Sequence, residues 1–173
     1  VKFRLNIAKK REDTIVRLKT LGRHQIYNAL QAAAVGYFAG MDLDEIRMGL
    51  ESFEPPPMRM QVVTRLGARF VNDCYNANVP SMTAALQMLG ETPCPGRKIA
   101  VLGDMLELGP HADEYHHEIG EFITTLPIQA VFAFGANMKH AVQAIGQYCW
   151  AEHFEDKTKL FAEVNRSLRA ADV

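Results

Sequence analysis

The sequence predicts an α/β protein in which a mostly parallel sheet, with helices on both faces, follows a β-hairpin and two helices. Two observations carry this prediction. After the proline run at 55–57, short apolar runs alternate with amphipathic helical stretches, which is the pattern of a parallel sheet. Before the prolines, two runs of period two precede two stretches of helical period.

The first predicted element is a half-buried strand at residues 1–8. Its apolar and polar residues alternate, so that one face carries Val1, Phe3, Leu5 and Ile7. Residues 9–13 are predicted to form a charged turn. Residues 14–21 alternate again, so the two runs together predict a β-hairpin.

Two helices are predicted after Gly22, which interrupts this alternation. Apolar residues recur at helical spacing from His24 onward, and Gly40 is a typical stop signal. Asp42 and Glu45 have the spacing of a capping box, which predicts that a second helix begins there.

The proline run predicts a domain boundary between residues 57 and 58, because consecutive prolines fit neither a helix nor a central strand. In the second domain, strands are predicted at 61–66, 69–74, 98–102, 130–134 and, weakly, 150–154. Helices are predicted at 81–89, 112–126, 137–147 and 157–169. No strand follows the last helix, so we expect this domain to be incomplete at its end.

Composition excludes several classes of function. The chain has 173 residues, 48% of them hydrophobic and 23% charged, which is ordinary for a globular protein. A net charge of -1 argues against nucleic-acid binding, and the apolar runs are too short to span a membrane. Three cysteines without CxxC spacing argue against a disulfide framework or a zinc site and favour a reducing cytoplasm.

A polar loop follows the strand predicted at 69–74, and it carries Asp73, Tyr75, Asn76, Asn78 and Ser81. Ligands bind at the carboxyl ends of parallel strands, so this position suits a nucleotide site, with Asp73 accepting hydrogen bonds from a ribose diol. Asn78 or Ser81 could equally cap the following helix. The sequence leaves those two alternatives open.

A second loop begins at Gly103 and Asp104, after the strand predicted at 98–102. Gly103 permits a positive φ or a close backbone approach. Asp104 could hold a substrate ammonium or a metal-bound water, or it could simply shape the turn. This signal is weak when taken alone.

Three further residues are weaker candidates for nucleotide contacts. His24 and Asn28 share one face at the start of a predicted helix, where they could contact an adenine edge or serve as a surface cap. Arg59 follows the prolines, where an arginine could clamp phosphate or simply be solvated.

The sequence provides little support for a metal site and none for a phosphate-binding P-loop. His111, Glu114, His116, His117 and Glu118 do not have HExxH spacing. The adjacent pair His116 and His117 should point in different directions on a helix. The string GxxxxGK[ST] does not occur anywhere in the chain.

Three strings occur in the same order as in a known family. They are Gly22-Arg23-His24-Gln25-Ile26-Tyr27-Asn28-Ala29-Leu30, then Asp73-Cys74-Tyr75-Asn76-Ala77-Asn78 with Ser81-Met82, then Gly103-Asp104-Met105-Leu106-Glu107-Leu108-Gly109. Together they resemble the Mur ligases of peptidoglycan synthesis, over essentially the whole chain. The resemblance implies that residues 1–57 end a central ATP-binding domain. It implies that residues 58–173 form most of a C-terminal Rossmann-like ligase domain.

The resemblance also implies a reaction, namely ATP- and Mg²⁺-dependent amide formation through an acyl phosphate. The second and third strings look most like the members that add D-alanyl-D-alanine to UDP-N-acetylmuramoyl-tripeptide in the cytoplasm. The P-loop and the magnesium ligands would then lie outside this chain. We therefore expect the chain alone to be inactive and the full-length enzyme to be monomeric.

The resemblance further implies roles for individual residues. Asn28 and His24 would contact adenine, Arg59 would meet ATP at the hinge between domains, and Asp73 would bind ribose. The other implied contacts are Tyr75 and Asn76 beside the ribose, and Gly103, Asp104, Glu107, Asn78 and Ser81 on the substrate side.

The chain departs from the family pattern at three positions. Gln25 stands where Asn is common, Cys74 where Ser is common, and Met58 where the hinge string is usually Pro-Gly-Arg. Two other functions stay open. One is a different ATP-dependent ligase of the Mur or folylpolyglutamate synthase type, against which the string Tyr75-Asn76-Ala77-Asn78 argues. The other is a non-catalytic Rossmann-like binding module.

Overall fold

The structure is a computed structural model that describes residues 1–8 and 12–173. It divides into two compact units, Val1–Gln61 and Val62–Val173. The predicted charged turn at 9–13 lies mostly outside the described residues. In the described part of the chain, no helix is both long enough and apolar enough to cross a bilayer.

The first unit is the predicted β-hairpin covered by two helices. Strands β1 (Lys2–Ile7) and β2 (Glu12–Arg17) pair antiparallel, with Leu5 opposite Thr14. Helices α1 (His24–Phe38) and α2 (Leu43–Ser52) follow. The predicted alternation is confirmed, because one strand face packs into a core built by Leu5, Val16, Ala33 and Ile46.

Capping explains where α2 begins. The Glu45 N–H donates to Asp42 Oδ1 at 2.8 Å, and the Asp42 N–H donates to Glu45 Oε2 at 2.8 Å. This reciprocal pair satisfies two backbone donors that the helix itself leaves unpaired. The predicted capping box is therefore confirmed.

The second unit contains the predicted parallel sheet in the strand order β5-β6-β7. The strands are β5 (Ile99–Gly103), β6 (Ala130–Phe134) and β7 (Trp150–Phe154), paired parallel with Ala100 opposite Val131 and Val131 opposite Ala151. The helices are α3 (Val79–Glu91), α4 (Ala112–Ile123) after a 3₁₀ turn at Gly109–His111, α5 (Met138–Ile145) and α6 (Lys157–Ser167).

Both faces of the sheet are covered, as the prediction requires. On one face Ala100 and Val131 join a core with Leu86 of α3 and Ile119 of α4. On the other face Phe132 packs with Phe154 and with residues of α6. Strand β6 is central and buried on both sides, which is why its sequence is continuously apolar rather than alternating.

The strands at 61–66 and 69–74 do not join the parallel sheet, which corrects the prediction. They form β3 (Gln61–Arg65) and β4 (Ala68–Asn72), paired in a separate two-stranded sheet. Only Leu66 and Gly67 connect them, with φ of 52° and 78°. Two residues of positive φ form a tight hairpin turn, whereas a parallel crossover needs a dozen or more residues.

An ion pair ties the end of the chain to the start of β5. Arg97 Nη2 lies 2.6 Å from Asp172 Oδ2, and the backbone N–H groups of Arg97 and Arg169 donate to the same carboxylate at 2.9 Å each. The Asp172 side chain is only 2% exposed. A buried carboxylate is tolerated when it has such partners.

Candidate functional site

The start of α1 holds two of the predicted nucleotide contacts in one hydrogen-bonded chain. The Gln25 amide lies 3.1 Å from His24 Nε2, and Asn28 Nδ2 donates to Gln25 Oε1 at 3.1 Å. Gln25, which replaces the common Asn, therefore bridges the two predicted residues. Asn28 is exposed and His24 is half-buried, so the Asn28 carboxamide is the more accessible group.

Arg59 lies between two residues with left-handed backbone conformations, Met58 at φ 60° and Met60 at φ 51°. The Arg59 side chain is exposed. The conformation of Met58 explains why a glycine suits this position, since an L-residue at positive φ is strained by its Cβ. The contact of Arg59 with ATP stays a prediction.

Replacing Met58 with glycine is expected to raise the free energy of unfolding of the first unit by about 0.5–1 kcal/mol. Relief of the left-handed strain outweighs the greater chain entropy of unfolded glycine. Urea unfolding followed by circular dichroism measures the change. Met48→Gly, in the exposed interior of α2, is the matched control and should lower the same free energy by about 1 kcal/mol. Equal losses in both variants would contradict the argument.

The first polar loop connects β4 to α3, so it follows a hairpin strand rather than a strand of the parallel sheet. Asp73 is half-buried, while Tyr75 is 63% exposed and Asn76 is exposed. The Asn76 Oδ1 accepts a hydrogen bond from the Ala77 N–H at 2.9 Å, which fixes the local turn. The loop therefore presents an acid, a phenol and an amide at the surface of one unit.

The capping alternative for Asn78 and Ser81 is confirmed. The Ser81 N–H donates to Asn78 Oδ1 at 2.9 Å, and the Asn78 N–H donates to Ser81 Oγ at 3.1 Å. Pro80 lies in the first turn of the same helix. These two side chains hold α3 in place, and a contact with substrate stays a prediction.

The second polar loop follows β5, and Asp104 anchors it to α5. Both Asp104 carboxylate oxygens accept from the Asn137 N–H, at 3.1 and 3.3 Å, and Oδ1 accepts from the Met138 N–H at 2.9 Å. The carboxylate thus satisfies unpaired donors at the start of a helix. The alternative in which Asp104 shapes its own turn through local backbone bonds is not borne out, because the backbone groups that donate to it are more than thirty residues away.

The backbone conformations of Gly103 and Glu107 differ from those that their residue types favour. Gly103 ends β5 without a positive φ, and of the described residues none lies within 4 Å of a Cβ built on it. The positive φ that Gly103 permits is therefore not used. Glu107 instead has φ 62° and lies exposed next to Leu106, which is 70% exposed.

The five residues weighed as metal ligands are dispersed. As predicted for neighbours on a helix, His116 is fully buried while the His117 side chain is 53% exposed. His111 contacts Glu114 at 3.1 Å and His117 lies 3.6 Å from Glu121. Among residues 1–8 and 12–173, no group of three or more His, Cys, Asp or Glu side chains could hold a metal ion.

Both polar loops border one core. Ala77 of the first loop and Leu108 of the second pack against the cluster that contains Met82, Met105 and Ile119. The second unit is therefore a Rossmann-like α/β domain that carries two polar loops on a shared core. Sequence reasoning missed that His116 of α4 accepts a hydrogen bond from the Met105 N–H of the second loop at 3.0 Å, because nothing near either residue indicates the other.

Comparison with known proteins specifies the family. The profile of the Mur ligase, glutamate ligase domain, matches residues 58–173. The chain belongs to the Mur ligase family, which confirms the resemblance inferred from the three strings. Residues 1–57 precede the matched residues, and their origin as the end of an ATP-binding domain stays a prediction.

Two of the relatives share the name UDP-N-acetylmuramoyl-tripeptide--D-alanyl-D-alanine ligase. The chain is 39% identical over 150 residues to the Escherichia coli protein, covering 86% of this chain and 32% of that protein. It is 38% identical over 116 residues to the Bacillus subtilis protein, covering 66% and 25%. The chain thus spans about a third of the length of the relatives it matches.

Solved structures agree in fold. A crystal structure of MurF from Acinetobacter baumannii superposes with a TM-score of 0.83 at 27% identity, covering 99% of this chain and 37% of that one. MurF ligase from Thermotoga maritima in complex with ADP gives a TM-score of 0.74 at 25% identity, covering 93% and 36%. MurC from Thermotoga maritima, at 18% identity and a TM-score of 0.73, shows the fold alone.

Proposed function

We propose that this chain is part of an ATP-dependent amide ligase that adds D-alanyl-D-alanine to UDP-N-acetylmuramoyl-tripeptide during peptidoglycan precursor synthesis. The observation that carries the proposal is the similarity, at 33–39% identity, to relatives named as ligases that add this dipeptide. The string Tyr75-Asn76-Ala77-Asn78 and the loop from Gly103 to Gly109 favour this branch of the family over its others. A cytoplasmic location and a monomeric full-length enzyme belong to the same proposal.

The proposed reaction joins a carboxylate to an amine at the expense of one ATP. The terminal carboxylate of the tripeptide attacks the γ-phosphorus of ATP, giving an acyl phosphate and ADP. The dipeptide ammonium gives up one proton to become a free amine, which attacks the acyl carbon; the tetrahedral intermediate then gives up a second proton and expels phosphate. Catalysis of this kind depends on positioning and on neutralising the charge of the transferred phosphoryl group.

The first polar loop supplies the proposed ribose contact. A carboxylate can accept hydrogen bonds from two ribose hydroxyls, and Asp73 provides one directly after β4. Tyr75 and Asn76 lie exposed beside it. The ADP bound in the Thermotoga maritima relative supports a nucleotide as the ligand.

The other proposed contacts belong to the two units separately. In the first unit Asn28 and His24 would meet adenine, and Arg59 would meet the phosphates. In the second unit the loop with Glu107 would meet the dipeptide.

Magnesium has a weaker basis in this chain. Mg²⁺ prefers carboxylate and phosphate oxygens, and no acidic or histidine cluster suited to a metal occurs at 1–8 or 12–173. The proposal assigns none of the described residues to the metal, because Mg²⁺ in such enzymes is held largely by substrate phosphates and waters together with one or two carboxylates. Because the sequence also lacks a P-loop, the proposal includes that this chain alone does not catalyse ligation.

Replacing Asp73 with alanine in the full-length enzyme is expected to raise the KM for ATP about tenfold or more. The reason is that hydrogen bonds to a charged group contribute about 1.5–3 kcal/mol. The KM for the dipeptide should change less than twofold. Steady-state kinetics with each substrate varied in turn measures both constants.

Asp113→Asn is the control for this test. Asp113 is an acidic residue of the same unit whose side chain is 69% exposed, and the change should leave both constants unaltered. If the Asp73 variant binds ATP as the parent does, Asp73 does not belong to the nucleotide site.

A further inference from the structure

The loop after β5, residues 104–109 and called here the β5 loop, has an anchored start and a projecting tip. Met105 is 1% exposed and packs in the main core of the second unit. The next residue, Leu106, is 70% exposed, and Glu107 is exposed with φ 62°. The direction in which the tip projects therefore depends on what holds Asp104 and Met105.

His116 of α4 provides one anchor. Its ring is fully buried, and Nδ1–H donates to the Ala112 carbonyl at 2.6 Å, one turn earlier on the same helix. The Met105 N–H donates to Nε2 at 3.0 Å. Because Nε2 accepts this hydrogen bond, the ring is neutral with its proton on Nδ1. The ring cannot turn without losing both bonds.

Asp104 provides the second anchor through its bonds to the first N–H groups of α5. Its Oδ1 lies 3.9 Å from His116 Nε2. That contact is not an ion pair, since Nε2 carries no proton when it accepts from Met105. Two consecutive residues of the β5 loop are thus tied to two different helices, one through each anchor.

We propose that His116 is a positioning residue for the ligation reaction, because its Nε2 fixes the Met105 amide and so sets Leu106 and Glu107 to receive the incoming dipeptide. This inference rests on the proposed function. The chemistry of the tip fits such a ligand, since a carboxylate suits an ammonium group and a leucine suits methyl groups. A side chain that only filled the core would need no nitrogen facing the loop.

Two substitutions in the full-length enzyme separate this role from packing. In His116→Gln the amide oxygen can reach the place of Nε2 and keep the Met105 bond. In His116→Asn the shorter side chain can replace only Nδ1. We expect His116→Asn to raise the KM for D-alanyl-D-alanine about tenfold, His116→Gln to stay within threefold of the parent, and the KM for ATP to change less than twofold in both.

The outcomes are distinct. Equal changes in both variants, or a loss of active enzyme without a change in the dipeptide KM, would show that His116 serves only packing. If His116→Asn does not fold, Glu107→Gln on the exposed tip of the β5 loop tests whether that tip receives the dipeptide. It should raise the dipeptide KM alone, and an unchanged KM overturns the proposal. The proposed function is tested separately with the parent enzyme, which should release phosphate from ATP only when the dipeptide is present.

Discussion

Replacing Arg97 with methionine is expected to lower the free energy of unfolding of the second unit by about 3 kcal/mol. Methionine keeps most of the aliphatic stem but leaves the Asp172 carboxylate without the guanidinium 2.6 Å away. The substitution also removes the hydrogen bond from Nη2 to the Ser167 carbonyl. The loss should lie at the low end for a buried pair, because the Arg97 side chain is 26% exposed and two backbone N–H groups still donate to Asp172.

Trp150 gives a direct measurement, because it is the single tryptophan of the chain and lies in β7 of the second unit. Its ring packs edge-on against Phe132 at 5.1 Å between centroids, so its fluorescence should change when this unit unfolds in urea. Arg166→Met is the matched control. The Arg166 side chain is 77% exposed beside Glu163, and solvent screens this pair, so its loss should leave the free energy of unfolding unchanged within error.

The pH dependence provides a second check on the same pair. Burial acts to raise the pKa of Asp172, but hydrogen bonds from Arg97 and Arg169 outweigh it and hold the pKa below its ordinary value of 3.8. A carboxyl with a lowered folded pKa contributes stability above its unfolded pKa, and this contribution is lost as the pH falls through the folded value. The difference between parent and Arg97→Met should therefore be full at pH 7 and shrink below about pH 4. A difference that is constant with pH would contradict an electrostatic origin.

Local patterns in the sequence predicted most of the elements. The bounds of β6 and β7 agree with the prediction residue for residue, and α1 begins at His24 as predicted. These elements are specified by their own periodicity and by flanking signals such as the capping box at Asp42. Such information lies within a window of a few residues, so a single sequence is enough to find it.

Pairing between distant segments was harder to predict. The strands β3 and β4 have the apolar character of sheet strands, but the two-residue turn between them decides that they pair with each other. Arg97 and Asp172 lie 75 residues apart, and nothing near either residue indicates the other. The partner of His116 on the β5 loop was equally hard to predict, because the local spacing shows only that His116 is one of several histidines on a helix.

The candidate site also has features that local sequence predicts and features that depend on distant segments. The position of polar residues after predicted strands located both polar loops, but the sequence left open whether Asn78 and Ser81 cap a helix or contact a ligand, and the structure shows the cap. The anchoring of Asp104 depends on where the chain places the start of α5 relative to β5. That placement is a property of the folded sheet, because both segments leave the carboxyl ends of neighbouring parallel strands.

Replacing Gly135 with alanine is expected to lower the free energy of unfolding of the second unit by about 3 kcal/mol. Gly135 follows β6 with φ 113°, a conformation that L side chains rarely adopt. A Cβ there would lie 2.5 and 2.6 Å from the two carboxylate oxygens of Asp104. The carboxylate would have to move and give up hydrogen bonds from α5, adding to the backbone strain.

Gly146→Ala is the matched control for the backbone contribution. Gly146 also has a positive φ, 56°, but a Cβ there would come no closer than 3.9 Å to its nearest neighbour, the Gln143 carbonyl. The control should therefore cost less than Gly135→Ala, because it carries only the backbone strain of an alanine at φ 56° and ψ -118° and displaces no side chain. Trp150 fluorescence in urea reports on both variants, since both positions lie in the second unit.

A double-mutant cycle with Asp104→Ala identifies what excludes the Cβ at Gly135. If the carboxylate is the obstacle, Gly135→Ala should cost about half as much when Asp104 is already alanine, because only the backbone strain remains. That coupling would show that the connection after β6 and the β5 loop are interlocked through one carboxylate. Strictly additive costs would instead mean that the Asp104 carboxylate is not what excludes the Cβ at Gly135.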